Sequence, residues 1–466
     1  MMGEIMERRR WWLWLGVIAA VGFGLRLAGA LGGLWLDEAA SAIQARDAGT
    51  AMGVFLQINH DNNHHLNSLW MQAVGFGAAP PLARALSIAT GTAMILVAGV
   101  LGARRAPLLG LITAIAFALS PILVTLGSEA RGYAPMAFAM LVAILLTDRW
   151  LAGDAERSPA TALALCFFLG AFSQLIMVFG FCALAGWVFL ALWQRKGLRG
   201  ALAGSAKLLA PSVVALLLVA AIIWGAAMGT PRGFTFGAWS PFTWTQYLQG
   251  LSDMAGYTLG VPALGIAWLA IVPALVIVAR CMGASRFWFS ALAILAFPAA
   301  IALLHPGNVV FARYYLLVSL ALLLLVPEIA WIGLIAGGWK RWAAASGLAA
   351  FAVGSLACDI DLIRNQRGDP GAAIRALQAR APAGARVFIE REQGLPILVY
   401  AAAAARFPLA IAKADCPAPR FLFIDRFEGQ DFPATPVRCG SRYVPIAQAR
   451  ARGLSGSHWT LYEVRP

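Results

Sequence analysis

This sequence predicts an all-α polytopic membrane protein with a small C-terminal α/β domain, on three observations. Of its 466 residues 60% are hydrophobic and 12% charged, with a mean hydropathy of +0.74, far from the composition of a soluble domain. The apolar residues gather into runs long enough to cross a bilayer, which takes about 20 residues. After Cys358 those runs stop and polar and apolar residues mix.

Apolar runs at 11–31, 82–102, 107–126, 130–148, 160–176, 178–194, 207–228, 257–279, 287–304, 312–336 and 342–358 give about eleven transmembrane helices at about 20 residues each. Residues 1–10 and the run behind them are built like a signal peptide. No small-residue cleavage site is evident, so they read as an uncleaved first span. The stretch 160–194 admits one kinked helix or two short ones, and the basic residues decide between them. Arg8, Arg9 and Arg10, then Arg104 and Arg105, Arg149 with Arg157, Arg195, Lys196 and Arg199, Arg280 with Arg286, and Lys340 with Arg341 fall on every second connection. Strict alternation places all of them in the cytoplasm; removing one helix from 160–194 would throw the later clusters outside. The net charge of +14 is therefore orientation signal and headgroup contact, not a nucleic-acid surface.

Residues 1–358 form the membrane part, and 359–466 a domain that is extracytoplasmic by parity. Within the latter, 371–381 and 401–405 read as helices, and 386–390 and 421–425 as short buried strands. Of six cysteines, four lie in or beside spans and read as packing residues. Cys416 and Cys439 can pair if their domain faces an oxidising compartment.

The same parity puts every unusual polar motif on the outer face of a multi-pass protein of the cell inner membrane. The chain has only 22 acidic residues and five histidines. Two acids, Asp37 and Glu38, sit together just after the first span, and His60-Asp61-Asn62-Asn63-His64-His65-Leu66-Asn67 follows. Desolvating polar groups beside spans is costly, so such a concentration marks a site. Asp37 reads either as a general base or metal ligand, or as a helix cap at the start of an amphipathic stretch, 38–48. The adjoining Leu34-Trp35-Leu36 favours function. The His/Asn run suits a loop binding a polar ligand, against a solvated loop capping a helix near Leu66; irregular polar backbone at membrane depth favours the site. His60, Asp61, His64 and His65 lack zinc-type spacing.

Ser128-Glu129-Ala130-Arg131-Gly132-Tyr133 forms an outer turn, in which Arg131 either pairs with Glu129 or binds a phosphate. Arg313-Tyr314-Tyr315 lies at another outer boundary, where Arg313 either snorkels to headgroups or holds the phosphate of a lipid carrier. The loop 230–257, with Trp239, Trp244 and Tyr247, reads as an interfacial aromatic belt before a sugar-stacking lid. There is no phosphate-binding P-loop and no dinucleotide fingerprint. No cytoplasmic loop can house a nucleotide-sugar domain, so an activated substrate has to be membrane-borne.

With these motifs in order, the chain resembles the GT-C fold glycosyltransferases, the broad group that contains protein O-mannosyltransferases and bacterial lipid A aminoarabinose transferases. The resemblance covers about residues 1–340 and rests on Leu34-Trp35-Leu36-Asp37-Glu38, the polar run behind it, Glu129-Ala130-Arg131-Gly132-Tyr133 and Arg313-Tyr314-Tyr315-Leu316. Where many members read His-Pro-Pro-Leu, this chain has His64-His65-Leu66-Asn67. The resemblance implies inverting transfer from a polyprenyl-phosphate-linked sugar donor to a lipid, glycan or protein acceptor. Asp37 would be the base, supported by Glu38, while Arg131 and Arg313 would hold the phosphate from the opposite side of the sugar carbon. It makes His60, Asp61, Asn62, His64, His65, Glu129, Arg131, Tyr133, Arg313 and Tyr314 the substrate-binding candidates. It calls for no certain cofactor and leaves a divalent metal open.

Two other readings compete. A transporter or flippase of lipid-linked sugars should carry ionisable residues in mid-span, whereas the polar groups here gather at one face. A polysaccharide polymerase or ligase typically uses a larger late outer loop than 229–256.

Overall fold

A computed structural model describes residues 2–154, 157–231, 233–235, 237, 240–413 and 416–465, with side chains from residue 9 onward; Trp239 lies outside the described residues. Among the described residues, eight helices are long and apolar enough to cross a membrane. The count is nine if the bent pair Pro107–Leu119 and Pro121–Gly127 is one span.

Two local features account for the difference from about eleven. The predicted segments 178–194 and 207–228 lie in one 52-residue helical stretch, Met177–Met228, that breaks at Gly197 with φ 69. That left-handed conformation favours glycine, and it falls in the predicted basic loop. The segment 160–176 is the helix Ala160–Ser173, only 14 residues long and short of the roughly 20 that a full crossing needs. The 107–126 segment is bent by 59° at Ser120, because Pro121 removes a backbone donor and disfavours helical geometry at the residue before it.

Leu316–Ala336 lies at the centre of the bundle, with every residue from Leu316 to Leu325 buried. Ionisable side chains inside the spans are buried as well, Arg26, Glu328 and Asp359 among them. Arg26 donates to the carbonyls of Gly22, Phe117 and Ala118, and Asp359 is fully enclosed. At the end predicted to be cytoplasmic, Arg104 pairs with Asp148 and Asp154, Arg286 with Asp148, and Arg105 with Glu328. These arginines clamp helix ends together in addition to signalling orientation.

Between the first two long spans lie the helices Leu36–Asp47, Ala51–Leu56 and His65–Val74. The last long helix, Gly338–Asn365, runs past Cys358 before the sheet begins. Six strands follow: β1 (Ala385–Ile389), β2 (Leu409–Ala412), β3 (Phe421–Arg426), β4 (Val437–Arg438), β5 (Ser441–Ala449) and β6 (His458–Val464). Their order is β2-β1-β3-β6-β5-β4, with β1 parallel to β2 and β3 and the remaining pairs antiparallel. The helices Gly371–Arg380 and Gly394–Ala404 pack on this sheet through Ile374, Leu377 and Leu398, against Phe421, Phe423 and Trp459. Cys416 and Cys439 form a disulfide.

Candidate active site

The helix Leu36–Asp47 begins at Trp35, whose N–H donates to Glu38 Oε2 at 3.1 Å. This contact is half of a capping box. Asp37 therefore sits in the first turn, where a carboxylate is favoured, but it does not cap. Its Oδ2 lies 2.6 Å from Arg131 Nη1 and 3.2 Å from Arg313 Nη2. Both guanidinium groups lie over the Trp35 ring, at 5.9 and 5.6 Å from its centroid, and Arg313 also stands 4.3 Å from the Phe311 ring and 5.5 Å from that of Tyr314. Aromatic faces attract such cations and fix their planes. Arg131 Nε, Arg313 Nε and Tyr133 Oη are buried and hydrogen-bond to no described group.

The sequence suggested a base and its cations on opposite sides of a sugar. In the structure Asp37 pairs with the two arginines itself, as three residues far apart in the chain converge on one point.

Glu38 and Glu129 do not line the cavity beside Asp37; both are held in buried ion pairs. Glu38 is fully buried and receives Arg84 Nε at 2.8 Å, Arg84 Nη2 at 2.6 Å and the Ala130 N–H at 2.6 Å. Burial alone would raise its carboxyl, yet Arg84 and the Ala130 N–H hold it below the usual carboxylate range. Glu129 is equally buried, faces Arg367 at 3.4 Å and accepts from Ser455. Burial pushes its carboxyl above the usual range, which Arg367 only partly offsets. The turn that carries Arg131 is fastened further: Asn67 Nδ2 donates to the Ala130 carbonyl at 2.6 Å, and Ser87 Oγ to that of Arg131 at 3.0 Å. Gly132 is required because a Cβ there would overlap the Ser173 carbonyl.

Arg84 and Arg367 went unnoticed in the sequence. Arg84 also ties down the carbonyls of Ala30, Gly32 and Gly33, and Arg367 those of Gly29 and Thr125. The available signal was a lone arginine inside the apolar run 82–102, which needs a buried partner.

The His/Asn run divides. His60, Asp61 and Asn62 line a cavity. The Asp61 carboxylate lies 2.8 Å from His60 Nδ1 and accepts the Gly237 N–H at 3.1 Å. Burial would raise Asp61, but these two contacts bring it below the usual range. Asn62 Nδ2 donates to Ser41 Oγ at 2.8 Å and to the Asp37 carbonyl at 3.2 Å, tying the loop to the helix that carries Asp37. His64 and His65 are buried and leave the cavity, which corrects their assignment. His64 Nδ1 donates to the Ser173 carbonyl at 2.9 Å; burial, then the charge of Arg131, push its pKa well below the ordinary range. His65 stacks on Phe55 at 5.3 Å and meets Phe172 edge-on, and burial lowers it to about 4.

The cavity has a volume of about 830 Å³. Leu175, Ile176, Phe179, Phe297 and Ile301 form an apolar wall; Asp37, Asp61, Arg131, Tyr133, Arg313 and Tyr314 form a polar one. Glu392 and Gln393, from the β1-to-helix turn, and Pro396, from the first turn of the helix Gly394–Ala404, close a third side. Trp244 and Tyr247 do not line it; Trp244 is exposed, whereas Tyr247 is buried in the core, its hydroxyl donating to the Pro298 carbonyl at 2.9 Å, so it belongs to no interfacial belt. A divalent ion does not fit this donor set. Asp37 faces two guanidinium groups, and among the described residues no group of three or more His, Cys, Asp or Glu is arranged to hold a metal ion.

No protein-family profile and no curated protein matches the chain. Solved structures do. ArnT from Cupriavidus metallidurans in the apo state matches with a TM-score of 0.58 at 13% identity, over 96% of this chain and 97% of that one. ArnT from the same organism bound to undecaprenyl phosphate matches with a TM-score of 0.57 at 15% identity, over the same shares. The chain has the GT-C fold. The Archaeoglobus fulgidus oligosaccharyltransferase, at a TM-score of 0.48 and 12% identity, covers 86% of this chain and 64% of its own. The match to ArnT covers 96% of the chain, so it takes in the C-terminal sheet as well as the bundle.

Proposed function

We propose that this protein is a membrane glycosyltransferase that moves a sugar from a polyprenyl-phosphate carrier to an acceptor at the extracytoplasmic face, with inversion. The observation that carries the reading is the pairing of Asp37 with both Arg131 and Arg313 in a cavity lined by apolar as well as polar side chains. A lipid phosphate matches that lining: the isoprenoid chain suits the apolar side chains, and the phosphate suits two forked cations. ArnT, which shares the fold, has been seen with undecaprenyl phosphate, and the Cys416–Cys439 disulfide fits an oxidising compartment.

Asp37 and a carrier phosphate compete for the same two arginines. When the phosphate takes them, the carboxylate is released to accept the acceptor's proton. The acceptor oxygen then attacks the anomeric carbon, and the bond to the phosphate oxygen breaks with its electron pair. Arg131 and Arg313 stabilise the departing anion, and attack opposite the leaving group inverts the carbon. Tyr133 Oη, buried with no hydrogen-bond partner, is placed to donate to the phosphate or sugar.

The test uses the purified protein in lipid nanodiscs, with undecaprenyl phosphate binding and sugar transfer measured together. Asp37→Asn is expected to abolish transfer and to bind undecaprenyl phosphate at least as tightly as the parent. Full transfer activity in this variant would remove Asp37 as the base.

A further inference from the structure

The third side of the cavity belongs to a part of the chain that the donor reading leaves idle. Glu392 and Gln393 sit in the turn between β1 and the helix Gly394–Ala404, and Pro396 in that helix's first turn. That helix packs on the helix carrying Asp37: Tyr400 is buried among Leu34, Ala39, Ala42 and Ala45, and its hydroxyl donates to the Ala78 carbonyl at 2.9 Å. The docking holds Glu392 at the cavity without using it. Its side chain is exposed, and no described group forms an ion pair or hydrogen bond with its carboxylate.

The charges of the lining sharpen this. Two guanidinium groups, Arg131 and Arg313, stand against three carboxylates, Asp37, Asp61 and Glu392, among the described lining residues. Both cations face Asp37, and a donor phosphate would claim them. Asp61 is held by His60 and the Gly237 N–H, so what remains for a second substrate is Glu392 together with the amides of Gln44, Gln174 and Gln393. Carboxylates and amides bind hydroxyl groups through directed hydrogen bonds, and an unpaired carboxylate repels an incoming phosphate. The buried Tyr133 hydroxyl, which hydrogen-bonds to no described group, lines the same cavity.

We infer that Glu392 and Gln393 are acceptor-specificity residues, and that the acceptor presents uncharged hydroxyl groups, not a phosphate, to this wall. The inference rests on the glycosyltransferase reading.

The experiment uses the full-length protein in nanodiscs loaded with undecaprenyl phosphate and reads saturation-transfer NMR on two probes, a neutral trisaccharide and its phosphorylated counterpart. The parent protein should saturate the neutral sugar and not the phosphorylated one. Glu392→Ala should reduce the neutral signal about five-fold or more, and Glu392→Lys should shift preference towards the phosphorylated sugar. Thermal unfolding checks the fold, since an exposed side chain without contacts should leave the midpoint in place. A parent that prefers the phosphorylated sugar, or a preference unmoved by Glu392→Lys, overturns the inference. Undecaprenyl phosphate binding is measured alongside: if the parent does not bind it, or Arg131→Ala does not weaken it, the glycosyltransferase reading fails instead. If lipid binding behaves and sugar binding does not, only the acceptor inference fails.

Discussion

Glu38 accepts the backbone N–H of Ala130 at 2.6 Å, across 92 residues of chain. Glu38 follows Asp37, and Ala130 precedes Arg131, so this one bond sets the register of a carboxylate against its cation. The buried Arg84 guanidinium keeps Glu38 charged and in place.

Removing Glu38 is therefore expected to affect the base more than the phosphate site. The Arg131 turn keeps its ties to Asn67 and Ser87, whereas the start of the Asp37 helix loses its anchor. Glu38→Gln retains an acceptor for Ala130 and should lose part of the turnover. Glu38→Ala also strands Arg84, which costs about 3–5 kcal/mol for a broken buried pair, and should lose most of it. Steady-state kinetics should show kcat falling with the donor KM unchanged. A donor KM rising in parallel would mean that Glu38 serves the arginines instead.

Arg131→Ala and Arg313→Ala should each weaken undecaprenyl phosphate binding by about 10–100-fold, from the 1.5–3 kcal/mol carried by a charged hydrogen bond. Arg131→Lys should recover little, because an ammonium lacks the fork that reaches Asp37 or a phosphate in two directions. Titration of the lipid into purified protein reads this directly. Equal affinities across the series would end the phosphate assignment.

Acid sensitivity should come from the two histidines that leave the cavity. His65 is held neutral, with its pKa lowered by burial from 6.5 to about 4, and His64 is lowered as well. The unfolded chain takes up a proton at His65 near pH 6.5 while the folded chain does not. The stability is thus complete above that pH and falls as pH drops towards about 4, by roughly 1.4 kcal/mol per unit. His65→Phe keeps a ring between Phe55 and Phe172 and should flatten part of this slope in chemical denaturation between pH 7 and 4.5. An unchanged slope would place the titration elsewhere.

The sequence made the polar face legible because Asp37, Arg131 and Arg313 are rare charges beside apolar runs, and charge parity put them on one side. It could not separate Asp37 from Glu38, or His60 from His64. Adjacent residues on a helix start or loop point in different directions, and only tertiary packing says which one meets the cavity. Arg84 and Arg367 were hidden for a related reason: their partners, Glu38 and Glu129, lie 46 and more than 200 residues away. In the C-terminal region, β1 and β3 were visible as buried apolar runs. The two-residue β4 and the irregular β5, with its register shift between Pro445 and Ala447, lack the alternation that announces a strand.

Cys416 and Cys439 give a direct reading of sidedness. Their disulfide closes a loop with a sequence separation of 23, for which chain entropy gives about 3 kcal/mol of stabilisation, and it persists only in an oxidising compartment. In intact spheroplasts, a membrane-impermeant maleimide should label neither cysteine before reduction and both after treatment with an impermeant reductant. The Cys416→Ser, Cys439→Ser double variant supplies the background from the other four thiols and should unfold at lower temperature. Labelling that requires the membrane to be opened would put the sheet in the cytoplasm. The face bearing Asp37, Arg131 and Arg313 would go with it, because Glu129 is bound to Ser455 and Arg367 and cannot be on the other side.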